Sequence, residues 1–230
     1  MIAENLQILR NRIEEICEKV NRDPKSVKLI AVSKGFSIDE IKQAIHADQI
    51  EFGENKAQEL VAKFEVFGNQ VIWHFIGHLQ RNKVKYAVRT ADYIHSVDSL
   101  SLAEEIQKRA ENLGKTKKIL IEVKTSEEET KSGVTEKEEI KRIARYCSQA
   151  SNLSLIGLMT IAPLTEDKNL IRKSFSYLRK LKEELNTEGY ELKQLSMGMT
   201  SDYEIAIEEG ATMLRIGSAI FGERIYYKED

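Results

Sequence analysis

The chain has 230 residues, of which 41% are hydrophobic and 31% charged, and its formal net charge at pH 7 is −2. This composition is typical of a globular protein, and the nearly balanced charge excludes the strongly basic surface of many nucleic-acid-binding proteins. No apolar run approaches the length of a membrane span, and the first residues show no basic region before an apolar core. Cys17 and Cys147 stand far apart in helical patterns, which is typical of reduced thiols. We therefore expect a cytoplasmic protein without nucleic-acid or membrane partners.

The predicted elements alternate between helix and strand. An amphipathic helix is expected over about 5–20, because its apolar side chains recur at spacings of three and four residues. Short apolar runs, typical of strands buried on both faces, then alternate with helical patterns. These predicted strands cover about 27–34, 49–53, 71–77, 93–97, 118–123, 154–161, 193–197 and 213–216. Helix starts are indicated by the capping-box pairs Ser37 with Glu40, Thr135 with Glu138 and Ser201 with Glu204, and by a cap at Asp98 or Ser99.

This alternation predicts the fold class. Strands that are each followed by a helix pair in parallel through right-handed crossovers, which gives an α/β architecture. Eight such units in a chain of this length indicate a (β/α)8 barrel of the TIM type, with residues 1–230 as a single domain and an extra N-terminal helix. An open doubly wound sheet is the alternative, which the lack of a Gly-x-Gly-x-x-Gly motif after the first strand disfavours.

The first predicted strand ends in Lys34, and Gly35 follows it. A lysine at the end of a buried strand is expected to be partly desolvated, which frees an amine nucleophile for Schiff-base formation with an aldehyde or ketone. A strand-end lysine whose ammonium group reaches out to water is the simpler interpretation of Lys34 taken alone. The other strand ends must therefore decide, because barrels place their functional residues there.

Most of the other predicted strand ends also carry polar or small residues. The set comprises Glu54, Asn55, His78, Asp98, Lys124, Met159, Thr160, Ser196, Gly198, Arg215, Gly217 and Ser218. The turns 196–199 and 215–218 contain glycines that allow backbone N–H groups to approach an anion, and barrels often bind phosphate after their last two strands. Ordinary strand-to-helix turns would explain the same glycines. Together with Lys34, however, a phosphate site suggests pyridoxal 5′-phosphate as the cofactor.

Arg215 could supply a partner for the pyridine nitrogen of that cofactor, because its strand parity allows it to point into the barrel mouth. An arginine stays protonated and would leave the nitrogen unprotonated, which makes the ring a weak electron sink and argues against transaminase or decarboxylase chemistry. An ion pair with Glu208, Glu209 or Glu223 is the alternative interpretation of Arg215. A Schiff-base aldolase acting on a phosphosugar would share Lys34 and the phosphate site.

The histidines do not suggest a metal site. His74 and His78 would share one face of a strand at about 13 Å, which is too far apart to chelate one ion. His46 and His95 are expected to be isolated. Trp73 is expected to pack in the core beside the third strand.

Eight stretches, in order along nearly the whole chain, carry a resemblance to a known family. They are Ala31-Val-Ser-Lys34, Phe52-Gly-Glu-Asn55, His74-Phe-Ile-Gly-His-Leu-Gln-Arg-Asn-Lys83, His95-Ser-Val-Asp98, Lys131-Ser-Gly133, Gly157-Leu-Met159, Leu195-Ser-Met-Gly-Met199 and Met213-Leu-Arg-Ile-Gly-Ser-Ala-Ile-Phe-Gly222. In these stretches the chain closely resembles the pyridoxal phosphate homeostasis proteins, called the YggS type in bacteria and the PROSC type in animals. The fold of that family resembles the N-terminal barrel of alanine racemase.

The resemblance implies roles for particular residues. Lys34 would carry pyridoxal phosphate as a Schiff base, and Arg215 would face the pyridine nitrogen. The phosphate would lie at Ser196, Gly198, Gly217 and Ser218, and the residues Asn55, His78 and Met159 would lie near the cofactor. This chain has His78 where a common form of the family motif has proline.

The resemblance also implies a function in cofactor supply without strong catalysis, with pyridoxal phosphate carried or transferred to apo-forms of the enzymes that use it. Racemisation needs two bases on opposite faces of the substrate, and in alanine racemase the second base comes from another domain. Here only a short tail that includes 224–230 follows the last predicted strand. We therefore expect a monomer that lacks this domain, with a pyridoxal-phosphate-dependent racemase or lyase as the enzymatic alternative.

Overall fold

A computed structural model describes residues 1–126 and 132–223, which form a closed barrel of eight parallel strands in chain order. The strands are β1 Lys28–Val32, β2 Glu51–Glu54, β3 Ile72–Phe75, β4 Tyr93–Val97, β5 Lys117–Glu122, β6 Leu153–Met159, β7 Gln194–Ser196 and β8 Met213–Ile216. The helices are α1 Ile2–Lys19, α2 Ile38–His46, α3 Ala57–Phe67, α4 Val84–Thr90, α5 Leu100–Asn112, α6 Lys137–Gln149, α7 Lys168–Thr187, α8 Tyr203–Glu208 and α9 Ser218–Phe221.

The predicted (β/α)8 barrel with an extra N-terminal helix is confirmed. Strand β8 pairs with β1 in the register Lys28 to Met213 and Ala31 to Ile216, so the open-sheet alternative is wrong. Helix α1 packs against α2, α8 and α9 and so covers the side on which the barrel closes. No helix in the described ranges combines the length and the apolar character needed to cross a bilayer.

The apolar residues form two layers. The larger lies between the strands and the surrounding helices, and Trp73 belongs to it with no exposed surface, as predicted. A smaller cluster fills the inside of the barrel, with Ile30, Leu120, Met159 and Met213 among its members. Strands that are covered on both faces are mostly apolar, which is why the sequence shows short apolar runs. Both cysteines are buried free thiols.

The helix caps agree only partly with the predicted starts. Helix α2 has the predicted capping box, in which the Glu40 amide donates to Ser37 Oγ (3.3 Å) and the Ser37 amide donates to Glu40 Oε2 (2.7 Å). Ser99 caps α5 by accepting from the Leu102 amide (3.4 Å). The pair at Thr135 and Glu138 was predicted wrongly, because α6 begins later, after an N-cap at Glu136 without a side-chain bond.

The pair at Ser201 and Glu204 is also not a capping box. The Glu204 carboxylate accepts from Arg12 of α1 (2.8 Å), so it is not available to the start of α8. Asp202 is the N-cap instead, and its carboxylate accepts from the Met199 amide (2.6 Å). The loop before α8 is therefore held to the end of β7, whose neighbouring residues line the cavity described below.

Replacing Ser37 by alanine should lower the free energy of unfolding by about 1 kcal/mol, because the Glu40 amide at the start of α2 loses its acceptor, Ser37 Oγ. Urea denaturation monitored by circular dichroism would measure the change. The exposed Ser148, near the end of α6, is a control whose replacement should leave the midpoint almost unchanged. Equal midpoints for the Ser37→Ala variant and the wild type would contradict a stabilising cap.

Candidate functional site

A cavity of about 660 Å3 lies at the carboxyl-terminal mouth of the barrel, around the ends of β1, β2 and β8. This volume is typical of sites for small molecules. Its polar and charged lining comprises Lys34, Asn55, Thr200, Ser201, Arg215, Ser218 and Glu223, with backbone from Gly217 and Gly222. Its apolar lining comprises Val32, Phe36, Ile76, Ile161 and Met199. The cavity therefore combines cationic and hydroxyl groups with apolar walls.

Five residues predicted as cofactor neighbours line this cavity together: Lys34, Asn55, Arg215, Gly217 and Ser218. They are brought together by barrel closure, because β8 lies beside β1 and β1 beside β2. Asn55 is positioned by a close backbone approach of the loop after β3. A Cβ atom at Gly77 would lie 2.3 Å from the Asn55 carbonyl oxygen, so only glycine fits at that position.

Four other predicted residues lie outside the lining of the cavity. Met159 is buried in the cluster inside the barrel, and Ser196 is buried at the end of β7. Gly198 has φ of +97°, and a Cβ there would lie 2.6 Å from the Ala206 Cβ, so packing against α8 requires the glycine. His78 has a side chain 58% exposed, with Nδ1 3.4 Å from a carboxylate oxygen of Asp98. Contact of these four with a cofactor stays a prediction.

Sequence reasoning missed several lining residues, because they lie in loops beyond the strand ends. Thr200 and Ser201 follow the glycine turn after β7, and the Ser218 hydroxyl bonds Thr200 Oγ1 at 3.1 Å. This bond joins the loops after β7 and β8 at the side of the cavity. Two hydroxyl residues that follow a glycine turn are the feature of the sequence that could have predicted Thr200 and Ser201 as part of the site.

Lys34 lies in the turn after β1, two residues beyond the end of that strand. Both of its neighbours are held by side chains of β2 and α3. Ser33 Oγ donates to Glu54 Oε1 (2.6 Å), and the Ser33 carbonyl accepts from Lys63 Nζ (2.6 Å). The Gly35 amide donates to Glu59 Oε1 (2.5 Å). The backbone that carries the Lys34 amine is thus fixed on both sides.

Lys63, Glu54 and Glu59 form a buried ionic cluster beneath this turn. Lys63 Nζ lies 2.7 Å from a carboxylate oxygen of each glutamate, and Glu54 has no exposed surface. Burial raises the pKa of Glu54 to about 7, although the charge and hydrogen bond of Lys63 act in the opposite direction. Within the described chain, Glu54 Oε2 accepts no hydrogen bond, which adds to the free-energy cost of ionising this carboxyl.

Arg215 is buried and held at two points. Its Nη1 donates to Ser196 Oγ (2.6 Å) and its Nη2 donates to the Thr160 carbonyl (2.9 Å). Burial lowers the pKa of Arg215 to about 10, against the opposing charges of Asp202 and Glu122. The guanidinium therefore stays cationic at neutral pH, with a fixed orientation beside the cavity.

The ion-pair alternative for Arg215 is wrong for Glu208 and Glu209. Glu209 binds Arg172 (3.0 Å) and Arg179 (3.3 Å) on the outside of the barrel, and Glu208 also pairs with Arg172. Glu223 lies at the cavity, but none of the ion pairs of the described residues joins it to Arg215.

Two expectations for the histidines are also wrong. His78 follows β3 and does not share a strand face with His74, because β3 ends at Phe75. His95 is not isolated, since its Nε2 lies 2.9 Å from His74 Nδ1 and its Nδ1 lies 2.9 Å from Ser196 Oγ. Strands β3 and β4 are neighbours, and their pairing brings together histidines that are distant in the sequence. Lys131 of the fifth matching stretch and the tail 224–230 lie outside the described residues.

Comparison with known proteins first defines a class. A family model described as alanine racemase, N-terminal domain, matches residues 5–225. Alanine racemase of Clostridium difficile is similar in fold, with a TM-score of 0.75 at 16% identity over 99% of this chain and 58% of that chain. At this identity the likeness shows the fold alone. The barrel and the family match together define a protein of the alanine racemase N-terminal domain class.

Two further relatives cover nearly the whole chain. A pyridoxal phosphate homeostasis protein of Aquifex aeolicus is 43% identical over 226 residues, which span 97% of this chain and 99% of the relative. PipY of Synechococcus elongatus, solved with pyridoxal phosphate bound, has a TM-score of 0.85 at 36% identity over 96% of this chain and 100% of that chain. The chain belongs to the family of pyridoxal phosphate homeostasis proteins. The resemblance inferred from the eight stretches is confirmed.

Proposed function

We propose that the protein binds pyridoxal 5′-phosphate as a Schiff base on Lys34 and acts in the intracellular homeostasis of this cofactor, without strong catalysis. The observation that carries the proposal is the meeting of Lys34, Arg215 and hydroxyl-bearing loops in one cavity. The names of the relatives and the ligand of PipY support it. Apo-forms of enzymes that use the cofactor are the proposed recipients.

The cavity has a group for each part of the cofactor. Lys34 supplies a primary amine for the aldehyde, and Arg215 supplies N–H donors for the pyridine nitrogen. Thr200, Ser201 and Ser218 supply hydroxyls for the phosphate, and the apolar lining accommodates the ring. Gly217 keeps the backbone accessible beside them. The residues present therefore fit pyridoxal phosphate.

The predicted neighbours outside the lining also support the site, and their direct contact with the cofactor stays a prediction. Ser196 acts through its bond to Arg215, and Gly198 forms the turn that leads to Thr200. Met159 fills the barrel beneath the site, and His78 stands exposed at the barrel mouth.

Weak catalysis follows from the ionisable groups at the cavity. When bound, the cofactor supplies an electron-withdrawing ring, whose strength depends on protonation of its nitrogen. Arg215 is cationic and donates hydrogen bonds, so it leaves that nitrogen without a proton. Among the described lining residues, the ionisable side chains are Lys34, Arg215 and Glu223, and Glu223 is exposed. Among the described lining residues, this exposed carboxylate is the one that a racemase could use as its second base.

The test is a visible absorption spectrum of the purified protein after addition of pyridoxal phosphate, with Lys34→Ala beside it. The wild type should gain a visible band, and borohydride reduction should fix a pyridoxyl group on the peptide that contains Lys34. The variant should lack both, because it has lost the amine nucleophile. Lys42→Ala, which changes an exposed lysine of α2, should behave like the wild type.

Three outcomes would overturn parts of the proposal. If the wild type gained no visible band, pyridoxal phosphate would be wrong as the ligand. If Lys34→Ala kept the band, Lys34 would not be the residue that forms the Schiff base. Chiral chromatography of amino acids incubated with the protein would measure turnover. A rate of about 1–10³ s⁻¹ would identify the protein as a racemase or lyase and contradict a homeostasis function without strong catalysis.

A further inference from the structure

A continuous file of hydrogen-bonded side chains crosses the inside of the barrel and ends at the cavity. We name it the histidine chain, and it comprises Arg215, Ser196, His95, His74 and Glu51. Its successive distances are 2.6 Å from Arg215 Nη1 to Ser196 Oγ, 2.9 Å to His95 Nδ1, 2.9 Å from His95 Nε2 to His74 Nδ1, and 2.5 Å from His74 Nε2 to Glu51 Oε2. Five strands, β8, β7, β4, β3 and β2, supply one member each.

The histidine chain is buried along its length. His74, His95 and Ser196 have no exposed surface, and Arg215 and Glu51 are also buried. Tyr93 stacks on His74 with ring centroids 4.4 Å apart, which fixes the plane of that imidazole. Burying a polar group costs folding free energy unless the group is hydrogen-bonded, and each of these side chains has a partner within the histidine chain. At the far end, Lys28 Nζ lies 3.1 Å from Glu51 Oε1.

Chemistry fixes the direction of the bonds. Arg215 carries only donors, so Ser196 Oγ accepts from it, and in the direction that suits an ionised Glu51 the single serine proton is directed to His95 Nδ1. A neutral His95 that accepts at Nδ1 carries its proton on Nε2 and donates to His74 Nδ1. His74 then donates from Nε2 to the Glu51 carboxylate. Every bond thus runs one way, from the guanidinium to the carboxylate, and such aligned bonds strengthen one another.

The protonation states agree with this direction. Burial lowers the pKa of both histidines, most strongly that of His95, so both are neutral. Burial alone would raise the pKa of Glu51, but its hydrogen bonds to His74 and Lys28 and the attraction of these two groups outweigh burial, and that pKa lies below its ordinary value. The opposite direction would need a protonated Glu51.

We propose that Ser196, His95, His74 and Glu51 are positioning residues, which hold Arg215 as a fixed hydrogen-bond donor at the cavity and relay the negative charge of Glu51 to it. The relay passes through neutral imidazoles, so a change at the amino-terminal end of the barrel alters the donor strength of Arg215 without touching the cavity. The effect on a bound cofactor rests on the function proposed above. The positions of the protons in the histidine chain do not depend on that function, because they are a property of the protein without cofactor.

The first experiment is nitrogen NMR of ¹⁵N-histidine in the wild-type protein without cofactor. Each histidine ring contributes a pair of nitrogen signals. Two pairs should come from the exposed rings of His46 and His78, and two pairs from the buried rings. Both buried rings should be neutral, with the proton on Nε2 and an unprotonated Nδ1. Buried rings with the proton on Nδ1, or with protons on both nitrogens, would overturn the proposal. This measurement needs no variant and no ligand.

The second experiment compares variants by cofactor affinity and by the absorption maximum of the bound cofactor. Ser196→Ala breaks the file beside Arg215 and should weaken binding about tenfold and shift the absorption maximum. Glu51→Gln keeps an acceptor for His74 but removes the charge, so a smaller shift in the same direction is expected. Ser96→Ala is the matched control, because Ser96 is buried next to His95 and its hydroxyl makes no hydrogen bond among the described residues.

The outcomes separate this proposal from the function on which it rests. If the wild type binds no cofactor, the proposed function fails, while the NMR result still decides the arrangement of the histidine chain. If the wild type binds cofactor, and Ser196→Ala and Glu51→Gln both keep its affinity and absorption maximum, the positioning role is overturned. A shift in Ser96→Ala equal to that in Ser196→Ala would also overturn it, because any buried hydroxyl would then have the same effect.

Discussion

The Lys63→Met variant is expected to lose about 3–5 kcal/mol of its free energy of unfolding at neutral pH, because a buried carboxyl group loses its cationic partner and must then take up a proton or stay unpaired. Lys63 Nζ contacts both Glu54 and Glu59 at 2.7 Å, and Glu54 is fully buried. The same ammonium donates to the Ser33 carbonyl, so the variant should also hold Lys34 less firmly. Urea denaturation measures the first effect, and the yield of borohydride-trapped cofactor measures the second.

The loss should depend on pH with a defined sign. Burial raises the pKa of Glu54 to about 7, above its ordinary value of 4.5, so the protonated carboxyl favours the folded state and stability falls as pH rises through 7. Without Lys63 this pKa rises further, because the opposing attraction is lost. The difference between variant and wild type should therefore be larger at about pH 8 than at about pH 5.

Two further variants make this prediction specific. Lys56→Met removes an exposed lysine just before α3 and should change stability little. Replacing Lys63 by methionine and Glu54 by leucine together removes both buried charges and should recover much of the loss. A double variant less stable than Lys63→Met at every pH would contradict an unpaired carboxylate as the cause.

The fold could be predicted because its signal repeats. A parallel strand covered on both faces is mostly apolar, and short apolar runs alternate with amphipathic helices along the chain. The ends of the strands could not be read in the same way. The predicted strand 71–77 ends at Phe75, because the chain turns at Ile76 and Gly77 to approach Asn55. Ile76, at the turn itself, still looks like part of the apolar run in the sequence.

The site could be predicted only in part, for a related physical reason. Lys34 and Arg215 stand at strand ends, and barrel topology alone brings such residues together. Contacts that depend on register leave no local pattern. His74 meets His95 because β3 and β4 pair with His74 beside Tyr93, and Lys63 reaches Ser33 because α3 packs over β2, the strand beside β1. In the sequence, a buried charged residue of a helix cannot be distinguished from an exposed one, because its partners come from other elements.

Replacing Arg215 by methionine is expected to weaken the affinity for pyridoxal phosphate by about 10- to 100-fold, because a hydrogen bond from a charged donor contributes about 1.5–3 kcal/mol. The absorption maximum of the bound cofactor should also shift, since in the proposed binding mode the pyridine nitrogen loses its donor. Equilibrium dialysis and a visible spectrum measure the two effects. Arg142→Met, which changes an exposed arginine of α6, should leave both unchanged. Unchanged affinity and spectrum in Arg215→Met would contradict its role.

Arg215→Lys separates the charge of the guanidinium from its geometry. Arginine bonds Ser196 and the Thr160 carbonyl with two different nitrogens, whereas a lysine ammonium has one nitrogen on a flexible stem. If charge alone set the state of the pyridine nitrogen, lysine would restore both affinity and spectrum. We expect lysine to restore part of the affinity and not the spectrum, because the ammonium cannot hold Ser196 and Thr160 and still present a fixed donor to the cavity. A wild-type spectrum in Arg215→Lys would show that the two-point hold is dispensable.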